Sequence, residues 1–147
     1  MKKALLSQIK NLLDQRLQTA WDAMQAAQAS ANEEGKSSAG DKYETARAMG
    51  QLDRDMYGRQ YEQVRQERLL LEKIQETERH TTAGFGALVQ TSAGWYCLAV
   101  SVGIVTQDGE KVMVVSPQSP IGQALLGKKA GDSFSFRGKN ERILATF

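Results

Sequence analysis

Along the first third of the chain, Leu13, Leu17, Ala20, Met24, Ala27 and Ala31 recur at intervals of four, three, four, three and four. That alternation is a heptad seam, and it predicts a long helix with one face committed to a partner. The seam residues shrink toward Ala31, so a partner helix can approach most closely there. Gly35-Lys36-Ser37-Ser38-Ala39-Gly40 then reads as a loop bounded by glycines. Asp41 with Glu44 three positions on is a variant of the capping box and opens a second helix running to about Glu78. Its apolar positions include Ala46, Met49, Leu52, Met56, Tyr57, Tyr61, Val64, Leu71 and Ile74. Two helices of about 30–37 residues would each span roughly 45–55 Å. Joined by a short turn, they are expected to fold back as an antiparallel hairpin over residues 1–80, with its tip at residues 35 to 44.

The rhythm changes near His80. Residues 1 to 80 hold no proline and four glycines, whereas residues 81 to 147 hold both prolines and nine glycines among short β-branched and aromatic runs. Ala87–Thr91 and Trp95–Val102 read as strands separated by the turn Ser92-Ala93-Gly94. Asp108-Gly109 signals another turn before the strand-like Lys111–Val115. Pro120 to Gly127 reads as a short helix with proline in its first turn, an Ile121, Leu125 and Leu126 face, and glycine as its stop. Asp132–Arg137 and Glu141–Phe147 flank Gly138-Lys139-Asn140 as a last hairpin. The expected class is α+β: a helical hairpin followed by a small β-rich domain, residues 81–147, with one short helix.

Composition narrows the chemistry. The net charge of +2 gives no global attraction for nucleic acid or acidic membranes, so any basic surface must be local. No apolar run approaches the ~20 residues needed to cross a bilayer. The apolar stretch after Lys3 is broken at once by Ser7, Gln8, Lys10 and Asn11, which argues against a cleaved signal. One cysteine, Cys97, precludes an internal disulfide framework and fits a reducing cytoplasm. With one histidine beside it in the count, a Cys/His metal or nucleophile site is not expected. No phosphate loop or nucleotide fingerprint is present.

Ser119-Pro120-Ile121-Gly122-Gln123-Ala124-Leu125-Leu126-Gly127-Lys128-Lys129-Ala130-Gly131-Asp132 resembles the C-terminal domain of the bacterial Gre-type transcript-cleavage factors. That family carries a Ser-Pro, a small helix with paired aliphatics, Gly-Lys, then Gly-Asp leading into a strand. With the preceding helical hairpin the resemblance covers nearly the whole chain. It implies a transcription elongation factor with an FKBP-like C-terminal domain that docks on RNA polymerase. The hairpin would reach down the secondary channel toward the active site and the nascent RNA 3′ end. It also implies that two tip carboxylates help to hold a Mg²⁺ shared with the polymerase and to orient a water, so that backtracked RNA is hydrolysed. Two-metal phosphodiester hydrolysis needs oxygen ligands and a positioned nucleophile, which such carboxylates supply. No cofactor is implied for the free protein, and no activity without the polymerase.

The family's tip reads Gly-Asp-Leu-Ser-Glu-Asn-Ala-Glu-Tyr. Setting Gly40-Asp41-Lys42-Tyr43-Glu44 against it puts Asp41 and Glu44 on the acidic positions, as catalytic residues and metal ligands within the polymerase complex. Lys42 and Tyr43 depart from the pattern, and a second alignment starting at Gly35 puts Lys36 where the aspartate belongs. The competing role for Asp41 and Glu44 is structural: acids in a first helical turn complement the macrodipole and free N–H groups. Arg47, Arg54, Arg65, Arg68 and Arg79 fall within about 60° of one another on a helix with ~100° per residue. Such a stripe either guides RNA or pairs with neighbouring acids and covers the seam with its stems. Arg47, nearest the tip, is the candidate for contact with the partner. Ser119, Pro120 and Ile121 correspond to the family's docking segment and equally suit the start of a short helix. Three alternatives stand beside a cleavage factor. They are a non-cleaving channel regulator, an FKBP-like prolyl-isomerase module on a coiled-coil stalk, and a coiled-coil adaptor. A monomer is the expected state, because the hairpin buries its own seam.

Overall fold

The computed structural model describes residues 1–37 and 41–147, with side chains at 33–37, 41–43 and 46 outside the description. Two long helices come first, α1 (Lys2–Ser37) and α2 (Asp41–Leu71). Six strands and one short helix follow: β1 (Leu88–Thr91), β2 (Gly94–Leu98), β3 (Gly103–Gln107), β4 (Glu110–Val115), α3 (Pro120–Leu125), β5 (Ser133–Phe136) and β6 (Lys139–Thr146). The class is α+β, as the sequence led us to expect. The chain divides into two compact units: Asn11–Arg68, and Met1–Lys10 with Leu69–Phe147.

In the helical unit the chain doubles back on itself. Arg68 Nε donates to Asp14 at 2.9 Å, and Trp21 stacks on Tyr61 at 5.5 Å between ring centroids. Gly58 lies against Met24, and Gly50 against Ala31. These pairs step in opposite directions along the two helices. Their numbers total 82 (14 with 68, 21 with 61, 24 with 58) or 81 (31 with 50), as an antiparallel pair requires. The anticipated α1 seam holds: Leu13 and Ala31 are buried and Leu17, Ala20, Met24 and Ala27 half-buried. The narrowing toward Ala31 ends where Gly50 meets it.

The α2 seam differs from the anticipated set. Met49, Leu52 and Met56 are 63%, 67% and 39% exposed. The face turned inward keeps Tyr57, Tyr61, Val64 and Leu71 of that set and adds Gly50, all half-buried or buried. Gly50, Tyr57, Val64 and Leu71 repeat every seven residues, with Tyr61 and Arg68 between them, which is a proper heptad. Gly50 and the polar Arg68 are the positions that a search for large apolar residues passes over. α2 also stops at Leu71 rather than near Glu78. Glu72, Lys73 and Ile74 donate their N–H groups three residues back, tightening the chain into turns. This turn buries Ile74 in the sheet-containing unit, close to Gly86.

The sheet order is β3-β4-β2-β1-β6-β5. All neighbours are antiparallel except β2 and β4, which run parallel. The run from Trp95 to Val102 was expected as one strand. It ends at Leu98, and Gly103, at φ 98°, starts the separate strand β3. Asp108-Gly109 and Arg137-Gly138 each have both residues at positive φ, the two-residue type I′ turn that matches strand twist. The last turn is therefore Arg137-Gly138, one step earlier than the glycine alone suggests. One sheet face supplies Val89, Leu98, Val115 and Ile143 to a core completed by Ile121 and Leu125 of α3 and by Phe134. The opposite face carries Leu88, Cys97, Val112 and Val114, each at most 2% exposed. In the same unit Leu5, Leu6 and Ile9 of α1 are at most 1% exposed. Lys2 Nζ there donates to the Glu78 carbonyl at 2.8 Å and the Phe147 carbonyl at 3.3 Å.

Candidate functional site

The tip anticipated at residues 35 to 44 is only partly within the described residues. α1 continues through Ser37 and α2 begins at Asp41, while Ser38, Ala39 and Gly40 lie outside the description. The Asp41 backbone is the first residue of α2; its side chain, with those of Lys42 and Tyr43, lies outside the description too. Glu44 is exposed in the first turn of α2, and Arg47 is exposed in the next. Among the described residues no cluster of three or more His, Cys, Asp or Glu side chains could hold a metal ion.

The arginine stripe resolves residue by residue. Arg65 chelates Glu62 with its Nε at 2.8 Å and its Nη2 at 2.6 Å, which holds the Glu62 carboxyl below the usual range and raises the guanidinium. Arg54 pairs with Asp55 at 3.0 Å and Arg68 with Asp14 at 2.9 Å. These arginines are engaged on the hairpin itself, as the pairing alternative foresaw. Arg79 lies beyond the end of α2 and so is not on the stripe.

At the other candidate segment the sequence specifies a tightly held helix start. Ser119 is the N-cap of α3: its hydroxyl accepts from the Gly122 N–H at 3.1 Å and donates to the Ser116 carbonyl at 2.6 Å. Pro120 fills the first helical turn, where no N–H is needed, and is exposed. Ile121 is 8% exposed and belongs to the core. The glycine in this motif has its own reason. A Cβ on Gly122 would overlap the Ser116 carbonyl oxygen and come within 2.9 Å of Pro117 Cα. Ser116 and Gly122 therefore belong to the segment's architecture. The Ser116-Pro117 turn just upstream was the signal that could have revealed them. Gly131 and Asp132 close the motif: Gly131, at φ 94°, donates its N–H to the Ile143 carbonyl, and the Asp132 carboxylate accepts from the Lys129 N–H at 3.0 Å.

Two remaining candidates are settled by burial. Cys97 is 1% exposed, and loss of hydration pushes its thiol up to about 12, so it is an inert packing residue as foreseen. The aromatics of the β-rich segment do not gather in one pocket. Phe134 is buried, Phe136 packs on the core under the Arg137 guanidinium at 5.1 Å, and Trp95 pairs with Phe147 at 6.0 Å.

The fold thus defines a class: a chain with a long antiparallel helical hairpin and a six-stranded α+β unit whose Ser-Pro helix sends Ile121 and Leu125 into the core. Residues 99–146, from the end of β2 through β6, match the family described as Transcription elongation factor, GreA/GreB, C-term. The matched stretch contains the whole Ser119–Asp132 motif, and it supports a Gre-type transcription elongation factor family for this protein. No curated protein matches the chain. Among the described residues no helix is long and apolar enough to cross a membrane.

Proposed function

We propose that this protein binds RNA polymerase, inserts its hairpin tip into the secondary channel and promotes cleavage of backtracked RNA. The family match over residues 99–146, on a chain that also carries two helices of 36 and 31 residues, is the observation that supports this reading. Helices of those lengths extend for about 54 and 46 Å at 1.5 Å per residue. Arginines 54, 65 and 68 are paired with the hairpin's own acids, and Glu44 and Arg47 are exposed in the first α2 turns.

The polymerase's Mg²⁺ supplies charge stabilisation and an activated water for phosphodiester hydrolysis. Asp41 and Glu44 are assigned as oxygen donors that help to hold that ion and orient the water, and Arg47 as a contact to the channel wall or RNA. Ser119, Pro120 and Ile121 are assigned to docking, with Pro120 the exposed residue and Ser119 and Ile121 holding it in place. A non-cleaving regulator is the second reading, favoured by Lys42 and Tyr43, which stand between the two acids where the family carries Leu-Ser. Insertion itself is testable by a photo-crosslinking residue at Arg47 in complexes with the cognate polymerase. The expected products join residue 47 to channel-lining polymerase or to the RNA 3′ end; crosslinks confined to the polymerase exterior would overturn insertion.

A further inference from the structure

Strand β3, Gly103–Gln107, ends the sheet and pairs on one side only, with β4. Its pairing fixes which backbone groups face outward. The Asp108-Gly109 turn makes Gln107 and Glu110 the closing hydrogen-bonded pair, so Val105 with Val112 and Gly103 with Val114 follow in the same phase. Ile104 and Thr106 occupy the alternate phase, and their N–H and C=O groups point away from β4: two donors and two acceptors. Natural edge strands are usually blunted by charges or proline. This one reads Gly-Ile-Val-Thr-Gln, with neither, and Ile104 is 63% exposed beside Met113 at 36%. The opposite edge, β5, is different, because α3 packs on it and Phe134 is buried there.

We propose that β3 is a self-association edge, pairing antiparallel with β3 of a second copy of this chain about a two-fold axis through Val105. In that register Ile104 faces Thr106 of the other copy, and Thr106 faces its Ile104. All four outward groups are then satisfied by four N–H···O=C bonds, with none left over. A two-fold pairing is self-complementary by construction, so one strand meets its own needs. On one face the β-branched pair Ile104–Thr106 forms twice, while on the other Val105 is only 3% exposed and stays packed within its own copy. No like charges oppose one another, since β3 carries none. The four-strand row then runs Met113–Ile104–Thr106–Lys111, and the Lys111 stem can lie over the apolar pair. Two five-residue strands bury far less than the ~1,200 Å² of a stable interface, so the dimer is weak and concentration-dependent.

Sedimentation equilibrium of the full chain up to about 1 mM tests this. The expected mass rises from 16.2 kDa toward twice that value as concentration increases. Thr106→Pro removes an outward N–H that the β4 ladder does not use, and Ile104→Lys places a charge on the edge. Both variants are expected to keep the wild-type circular dichroism and stay monomeric, while Ser135→Lys on β5 associates like wild type. A wild-type monomer at every concentration overturns the proposal and leaves the edge to an extended strand of another protein. Association that survives Thr106→Pro, or that Ser135→Lys abolishes, overturns it as well.

Discussion

Gly50→Ala probes the closest approach of the two long helices. Helix propensity alone predicts a gain, since glycine inside a helix costs about 1 kcal/mol relative to alanine. The structure predicts the opposite. A Cβ at position 50 would stand 2.5 Å from the Ala31 Cβ and 3.0 Å from its Cα. Carbon atoms in contact prefer about 3.5–4.0 Å, so the helices must part by roughly 1 Å at that level. Neither atom is the end of a flexible side chain that could swing aside. Overpacking of this kind costs typically 1–3 kcal/mol, and against the propensity gain the net loss is up to about 2 kcal/mol. Gly58 supplies the internal control in the same helix: its added Cβ meets only Met24 Sδ, at an ordinary 3.7 Å. Gly58→Ala is therefore expected to stabilise by up to about 1 kcal/mol. Urea melts followed by circular dichroism at 222 nm would rank the variants Gly58→Ala, wild type, Gly50→Ala in falling stability. Ala31→Gly in the Gly50→Ala background should recover most of the loss, a coupling that additive sites lack. Equal gains from the two glycine substitutions, with no coupling to Ala31, would refute the close approach.

At the Ser-Pro segment, Gly122→Ala forces a Cβ into the Ser116 carbonyl and is expected to destabilise the protein by roughly 2–3 kcal/mol. Gly84→Ala, with nothing within 4 Å of its added Cβ, should be nearly neutral in the same denaturant melt. Cys97 carries a thiol raised from its usual 9.0 to about 12, so the folded state holds its proton where the unfolded chain has released it. Its contribution is complete below pH 9 and is lost as pH climbs toward 12. Stability should fall by about 1.4 kcal/mol per pH unit more steeply than in Cys97→Ala, and matching slopes would contradict the burial. The native thiol should also resist a disulfide reagent at pH 8 until denaturant is added.

Much of the fold was legible because its signals are local. The α1 seam from Leu13 to Ala31 lies on a single periodicity, and the short helix is bracketed by Pro120 and Gly127. The α2 seam was harder to read. Its heptad runs through a glycine, two tyrosines and a half-buried arginine. Met49, Leu52 and Met56 drew attention by their hydrophobicity and face solvent. Strand β3 was hidden because Trp95–Val102 is continuously β-prone, whereas β2 ends at Leu98 and β3 starts only at Gly103, at positive φ. The parallel pairing of β2 with β4 is a long-range choice that no local turn signal records. At the candidate site, the Ser119 cap and the Pro120 start follow from residue type. The need for glycine at 122 arises from a carbonyl six residues upstream, which spacing does not announce. The acids at 41 and 44 read equally as a helix start and as a catalytic pair, since both uses demand carboxylates in the same first turn.

The most direct measurement is transcript cleavage in backtracked elongation complexes with the cognate polymerase and Mg²⁺, comparing wild type with Asp41→Ala plus Glu44→Ala. The proposed role predicts that the wild type shortens RNA from its 3′ end and that the double variant binds equally well but does not. Binding without any cleavage by the wild type would contradict the catalytic assignment of the tip. A protein that fails to bind the polymerase at all would contradict the proposed function as a whole.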